Sequence, residues 1–254
     1  HTAGLANPDD TPADNKGMPA FYRSEGEAAP AKSAPRVCAE APKRAPGDHY
    51  ENNVCDDLVL GAILERVDDA SYAQLVARRV AKPLGLHSLG VLRAGASSSG
   101  IVGYTAEGAH EPAFNAARLG AAGALYGSID DLLRFDRALI DDKLVSAATA
   151  ATMRQGDPKL GYIALGALAY TAKLRHCDAP IALVERDGEI GGVRAVNVIA
   201  PAQRASVIAF SNTARTEWGL AWQGSGLLHD LLDAALCTPM PTPAAVAPRK
   251  GAKH

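Results

Sequence analysis

The sequence predicts an α+β fold, in which an antiparallel sheet is flanked by helices and joined to a helical lobe. Two observations point to this class. Apolar residues recur with helical spacing before about residue 158, and beyond it the apolar period shortens toward two. The two patterns form separate runs, which argues against the alternation of a βαβ sheet. A chain of 254 residues that is 47% apolar can bury a core of this kind.

Helices are predicted at 56–67, 71–80 and 128–140, with a shorter one near 146–153. The first opens on Asp56 and Asp57, where the helix dipole favours negative charge. Ser71 and Ser128 are the predicted N-caps of the next two. The 56–67 and 128–140 helices are expected to form a separate helical lobe.

The second half of the chain predicts one antiparallel sheet closed by a helix. Its strands are expected at 162–170, 181–185, 193–200 and 204–210, with an isolated short strand at 101–104. The following helix, at 217–236, is expected to pack on the sheet through four leucines: Leu220, Leu227, Leu228 and Leu231.

Two segments lack the periodicity of either element. Residues 1–49 are interrupted by prolines and glycines, so they predict a long surface excursion. The glycine-, alanine- and serine-rich stretch at 93–124 predicts a loop. The tail 238–254 carries four prolines and a basic end, which predicts disorder.

Composition excludes several classes of function. Lys and Arg total 26 against 28 Asp and Glu, so there is no basic excess to bind nucleic acid or an anionic membrane. No apolar run approaches 18 residues, so no membrane span is expected. The chain opens at His1 without an initiator methionine or a signal-peptide core, which predicts processing, truncation or fragmentation.

No cofactor or metal is expected. The sequence contains no C-x-x-C pair, no two histidines at ligand spacing and no G-x-G-x-x-G loop. Of the four cysteines, Cys38 and Cys55 flank a loop that a disulfide could close, which an oxidising compartment would favour. The alternative is that all four cysteines, including Cys177 and Cys237, act as small apolar residues.

Several segments resemble, in order and spacing, those of the serine β-lactamase-like superfamily. The branch concerned holds class C β-lactamases, D-Ala-D-Ala carboxypeptidases and related esterases. The segments are the His-Thr-Ala-Gly-Leu turn at 1–5, Pro-Gly at 46–47, Tyr50-Glu51-Asn52, the block at 58–65, Pro-Leu-Gly-Leu at 83–86, the Ala- and Gly-rich run at 121–128 with its continuation at 130–135, the Gly-rich loop at 187–193, and Ser211-Asn212-Thr213.

The resemblance implies a β-lactamase/transpeptidase-like domain over 1–237 that is incomplete at its N-terminus. Members of the family use an S-x-x-K pair, whose serine attacks an acyl carbonyl while the lysine helps to remove its proton. None of the twelve serines here is followed by lysine three residues later. The expected nucleophile therefore lies outside this chain, and the alternative is a catalytically inactive binding module or a gene fragment.

The resemblance also nominates four site residues. Tyr50 and Asn52 match the family's Tyr-x-Asn pair, which assists proton transfer and binds substrate. Counting back from Gly61, however, the usual spacing places Asn52 at the tyrosine position. Arg186 and Gly188 occupy the family's Lys-Thr-Gly or His-x-Gly position, where Arg186 could pair with a substrate carboxylate. An ordinary hairpin turn is the alternative for Arg186-Asp187-Gly188.

The resemblance implies hydrolysis of a β-lactam, a D-Ala-D-Ala peptide or a small ester. The expected partner is thus a small molecule or a peptidoglycan-like substrate in the periplasm or outside the cell, and the oligomeric state stays open. Without the N-terminal portion, an exposed apolar gap is expected where a strand and the nucleophile helix would dock.

Overall fold

The computed structural model describes residues 1–13, 19–23, 34–93, 101–111 and 115–237. The serine run at 97–99 and the tail at 238–254, which was predicted to be disordered, lie outside these ranges. None of the helices in the described ranges is both long and apolar enough to cross a membrane.

The helices confirm the predicted caps. The hydroxyls of Ser71 and Ser128 each accept a hydrogen bond from the backbone N–H three residues later. The helix after Ser71 extends beyond the predicted end, through a π-helical turn at Ala77–Ala81, and stops at Gly85 with a φ of 63°. The helices are α1 (Ala20–Arg23), α2 (Val54–Asp68), α3 (Tyr72–Val76), α4 (Lys82–Leu84), α5 (Ile129–Ile140), α6 (Ala147–Met153) and α7 (Leu227–Leu236).

A four-stranded antiparallel sheet confirms the α+β class, because its strands pair in chain order. It consists of β3 (Leu168–Ala172), β4 (Ile181–Ile190), β5 (Val193–Ala200) and β6 (Ala205–Ser211). Two short strands, β1 (Gly90–Val91) and β2 (Leu125–Tyr126), form a separate pair.

Three of the predicted strands differ in extent. The one expected at 181–185 continues to Ile190, so Arg186-Asp187-Gly188 lies within a strand and the hairpin-turn alternative is wrong. The one expected at 162–170 begins only at Leu168, because Tyr162 and Gly166 adopt φ values of 65° and 83° that interrupt an extended chain. The strand expected at 101–104 is limited to isolated bridges at Tyr104.

Helix α7 covers one face of the sheet. Its Leu228 and Leu232 are fully buried, in a cluster with Leu183, Val196 and Val198. The predicted helix at 217–236 was therefore too long, and its predicted face was partly wrong. Gly219, Gly224 and Gly226 have positive φ and interrupt the helix before Leu227, which leaves Leu220 and Leu227 exposed.

Helix α5 packs on the opposite face of the sheet, against β6. The Asn197 amide on β5 donates a hydrogen bond of 2.9 Å to the fully buried Asp136 of α5. The prediction of a lobe separate from the sheet is thus wrong for this helix. The spacing of apolar residues along the helix could not predict this contact, because the contact depends on a buried polar pair.

Two disulfides link distant parts of the chain. Cys38–Cys55 joins the N-terminal loop region to α2, inside a cluster with Phe21 and Leu58. Cys177–Cys237 joins the connection between β3 and β4 to the end of α7. The first bridge confirms one alternative from the sequence, and the interpretation of the cysteines as unpaired apolar residues is wrong.

Removing either disulfide should destabilise the chain. The closed loops span 17 and 60 residues. Opening them raises the conformational entropy of the unfolded chain, which is expected to lower the free energy of unfolding by about 3 and about 4 kcal/mol. We expect Cys177→Ser/Cys237→Ser to lower the urea midpoint more than Cys38→Ser/Cys55→Ser does. Equal midpoints for the two double variants would contradict a mechanism based on loop length.

Candidate active site

Strand β4 carries two of the predicted site residues. Side chains alternate along a strand, so Arg186 and Gly188 lie on the face that α5 covers, and Asp187 lies on the other. Arg186 is half-buried and pairs in register with Asn197. A Cβ built at Gly188 would have no atom within 4 Å. The strand therefore presents a guanidinium beside open space that a ligand could enter.

The predicted Tyr50 lies in the extended segment just before α2. Buried Asn53 fixes this segment, because its side chain caps α2 by accepting from Cys55 N–H at 2.8 Å and donates to the Leu5 carbonyl at 3.0 Å. Asn7 donates to the Asn52 carbonyl at 3.1 Å. The N-terminal residues thus hold the position of Tyr50.

The His1 ring joins this segment to β4. Its Nδ1 accepts the Asn53 backbone N–H at 3.0 Å, so in the neutral ring the proton is assigned to Nε2. That nitrogen lies 3.5 Å from Asp57 Oδ2 and 3.5 Å from an Arg186 nitrogen. The ring also meets Tyr50 edge-on, with 6.0 Å between centroids.

Burial and charge set the protonation of this cluster. Burial raises the pKa of the Tyr50 phenol, although the neighbouring Arg186 opposes that rise by charge and hydrogen bonding. Burial also raises the pKa of Asp57, and Arg186 again opposes the rise. At neutral pH, Tyr50 is therefore an uncharged phenol that can donate a hydrogen bond or a proton.

The structure brings together some of the predicted residues. Tyr50 and Arg186 meet, with Gly188 two positions further along the same strand. The Asn52 side chain is exposed, and it is its backbone carbonyl that is held in place. Sequence reasoning missed the parts that His1 and Asp57 play here. It assigned Asp57 to the helix dipole and His1 to a turn, and no local pattern links either residue to β4.

A groove of about 510 Å³ lies between the sheet and helices α5 and α6, and Arg186 and Gly188 are among the residues that line it. The residues that line it are mainly apolar, and two of their side chains are strongly exposed, Leu165 at 63% and Phe210 at 43%. The apolar gap expected from the sequence, where a strand and the nucleophile helix would dock, stays a prediction. Asp136 also lines it, and the Oδ2 atom of this fully buried side chain makes no hydrogen bond.

Comparison with known proteins identifies the class. The sequence model described as Beta-lactamase matches residues 1–223, so the chain belongs to the Beta-lactamase family. The family and the fold predicted from the sequence are thereby confirmed. No curated protein matches the chain.

Solved structures agree on the fold. The chain is similar to a D-stereospecific amidohydrolase from Streptomyces sp., with a TM-score of 0.68 and 19% identity, over 93% of this chain and 70% of that protein. A penicillin-binding protein from Bacillus halodurans gives a TM-score of 0.63 and 18% identity, over 92% and 70%. A D-amino acid amidase from Ochrobactrum anthropi SV3 gives 0.66 and 15%, over 92% and 69%. About three tenths of each relative has no counterpart here.

Replacing Asp136 should stabilise the protein at neutral pH. Burial raises the pKa of this carboxyl, with Asn197 and Ser206 opposing, so its folded-state pKa lies above its unfolded value. The folded state therefore loses stability as the pH rises through the folded pKa. We expect the free energy of unfolding of Asp136→Asn, measured by urea unfolding, to exceed that of the wild type by about 1–3 kcal/mol near pH 8. Near pH 4 the two values should be similar.

Asp130→Asn is the control for this measurement, because Asp130 is an exposed carboxylate on the same helix. Its effect should not follow the pH profile of Asp136→Asn. An Asp136→Asn protein that is less stable than the wild type at every pH would contradict the assignment of a buried, partly unpaired acid.

Proposed function

We propose that this chain is the larger part of a serine acyl hydrolase, whose nucleophile comes from a segment outside these 254 residues. The substrate is a β-lactam, a D-Ala-D-Ala peptide or a small ester. One observation carries the proposal: Tyr50 and Arg186, far apart in the sequence, meet near the open space at Gly188, and Arg186 and Gly188 line an apolar groove. Family membership supplies the chemistry that such a cleft would serve.

In the proposed reaction, the serine oxygen bonds to the acyl carbon, and the lysine of the same pair accepts the serine proton. The bond to the leaving group then breaks. Tyr50 would give a proton to that leaving group, and burial supports this role because it keeps the phenol protonated. Arg186 would hold the polar end of the substrate, and water would release the acyl group from the serine.

The groove supports a location for the missing segment. It lies between layers of the fold, opens beside Arg186 and Gly188, and exposes apolar side chains to water. A helix that filled it would bury this surface and could present a serine to the cleft. The relatives, of which about three tenths lie outside the match, are long enough to contain such a segment.

A second candidate function is a binding module that does not catalyse. It is favoured by the absence of an S-x-x-K pair and by Arg186 at the family's lysine or histidine position. In that case the cleft would hold a peptidoglycan-like ligand without cleaving it. The coding sequence upstream of His1 separates the candidates, because an in-frame S-x-x-K pair supports the enzyme and an authentic start near His1 contradicts it.

We also propose a secreted or periplasmic location. Two disulfides close within the described part of the chain, and such bridges form and persist in oxidising compartments. Mass spectrometry of the protein purified from its native compartment, under alkylating conditions, would test this proposal. Free thiols at all four cysteines would contradict it.

Tyr50→Phe should slow acylation in a protein that carries the nucleophile segment. The variant keeps the ring and loses the proton donor, so we expect kcat/KM on p-nitrophenyl esters and on nitrocefin-type substrates to fall about 10²–10⁴-fold. Tyr126→Phe is the matched control, since Tyr126 is exposed on the small β1–β2 sheet. An unchanged kcat/KM would remove Tyr50 from the mechanism and favour the shifted alignment with Asn52 at the tyrosine position.

The 254-residue chain alone should bind a hydrophobic dye or self-associate, and the upstream segment should suppress both. Ala195→Trp, which projects into the groove, should weaken association with that segment. Ala182→Trp is the control, because Ala182 is exposed on the same sheet and is not among the residues that line the groove. Dye binding and sedimentation measure both effects. The proposed docking would be contradicted if the chain stays monomeric, binds no dye and does not bind the upstream segment.

A further inference from the structure

Asp57 contributes a second charge to the candidate site. Its Oδ2 and an Arg186 nitrogen each lie 3.5 Å from His1 Nε2, so the two charged groups are at most 7 Å apart. The Asp57 side chain is 31% exposed, and His1 beside it is 8% exposed. The carboxylate and the guanidinium therefore both lie beside the same nitrogen of a largely buried ring.

A role in the helix dipole does not account for this placement. Asp57 lies in the first turn of α2, where a carboxylate interacts favourably with the helix N-terminus. That interaction does not require the side chain to lie near Arg186, which comes from a strand far along the chain. Tyr50 and Asp57 both feel the charge of Arg186, which places all three in one electrostatic environment.

We infer that Asp57 determines the charge preference of the site, so that the cleft accepts uncharged esters and amides ahead of substrates that carry a carboxylate beside the scissile bond. This inference rests on the proposed function and narrows its substrate class. It predicts that the cleft binds β-lactams and peptides with a free C-terminal carboxylate less tightly than neutral acyl compounds.

The physical reason is that Asp57 offsets the charge of Arg186. A substrate carboxylate that paired with Arg186 would come close to a second negative charge, in a region where burial limits screening. An uncharged carbonyl can accept a hydrogen bond from the same guanidinium without that repulsion. Asp187 adds negative charge from the next position of β4, although its side chain lies on the opposite face.

The test compares two probes of nearly equal shape, N-acetylglycine as the anion and N-acetylglycine amide as the neutral form. Ligand-observed NMR measures their binding to the 254-residue chain at neutral pH. We expect the wild type to bind the amide more tightly. Asp57→Asn should strengthen binding of the anion about tenfold and leave binding of the amide unchanged.

Two further variants keep the result interpretable. Asp130→Asn removes an exposed carboxylate from the first turn of α5 and should keep the preference of the wild type. Arg186→Gln should weaken binding of the anion to the Asp57→Asn protein, which a purely structural role of Asp57 would not predict. Tighter binding of the anion by the wild type, or an unchanged ratio in Asp57→Asn, would overturn the inference, as would the absence of binding by either probe.

The outcomes also separate this inference from the proposed function. If the chain prefers the amide but the protein with its upstream segment hydrolyses no ester, amide or β-lactam, the charge preference stands and the hydrolase proposal fails. If that protein hydrolyses substrates but prefers the carboxylate-bearing ones, the hydrolase proposal stands and the role of Asp57 fails.

Discussion

The hydrogen bonds of Asn53 hold the candidate site together. Its side chain caps α2 and binds the carbonyl of Leu5, and its backbone N–H binds the ring of His1. Asn53 is almost completely buried, so breaking these bonds would leave polar groups unpaired away from water. The position of Tyr50 before the helix and that of Asp57 within it both follow from this one residue.

The second constraint is the alternation of side chains along β4. Glu185 and Asp187 lie on the face that α7 covers, and Val184, Arg186 and Gly188 lie on the face toward α5. On the α7 face, the Tyr170 hydroxyl donates to the buried Glu185 carboxylate, whose pKa burial raises. A slip of one residue in register would exchange the two sets and place Arg186 in the apolar core. The strand therefore separates a closed core from an open cleft.

Much of the fold could be predicted from the sequence, because helix caps and strand alternation are local signals. Ser128 and Ser71 fixed two helix starts, and the strands at 181–185 and 193–200 emerged from their apolar period. The contact of α5 with the sheet could not be predicted, since it depends on the buried pair of Asp136 and Asn197 from two distant segments. In the site, resemblance to the family nominated Tyr50 and Arg186. The roles of His1 and Asp57 required three-dimensional proximity that no spacing encodes.

The Cys177–Cys237 bridge affects the order in which parts of the molecule fold and unfold. Strands β3–β6 and α7 follow one another along the chain, so their contacts are close in sequence and need little loop closure. The bridge joins the connection between β3 and β4 to the end of α7, so it closes the part of this segment that begins at β4. Because its contacts are local, the segment from β3 to α7 is expected to fold early and to unfold last. The region before α2 contacts β4 only after most of the chain has been brought together. The cleft thus lies at the boundary between an early-folding unit and a late-arriving one, where a binding surface can adjust while the core stays intact.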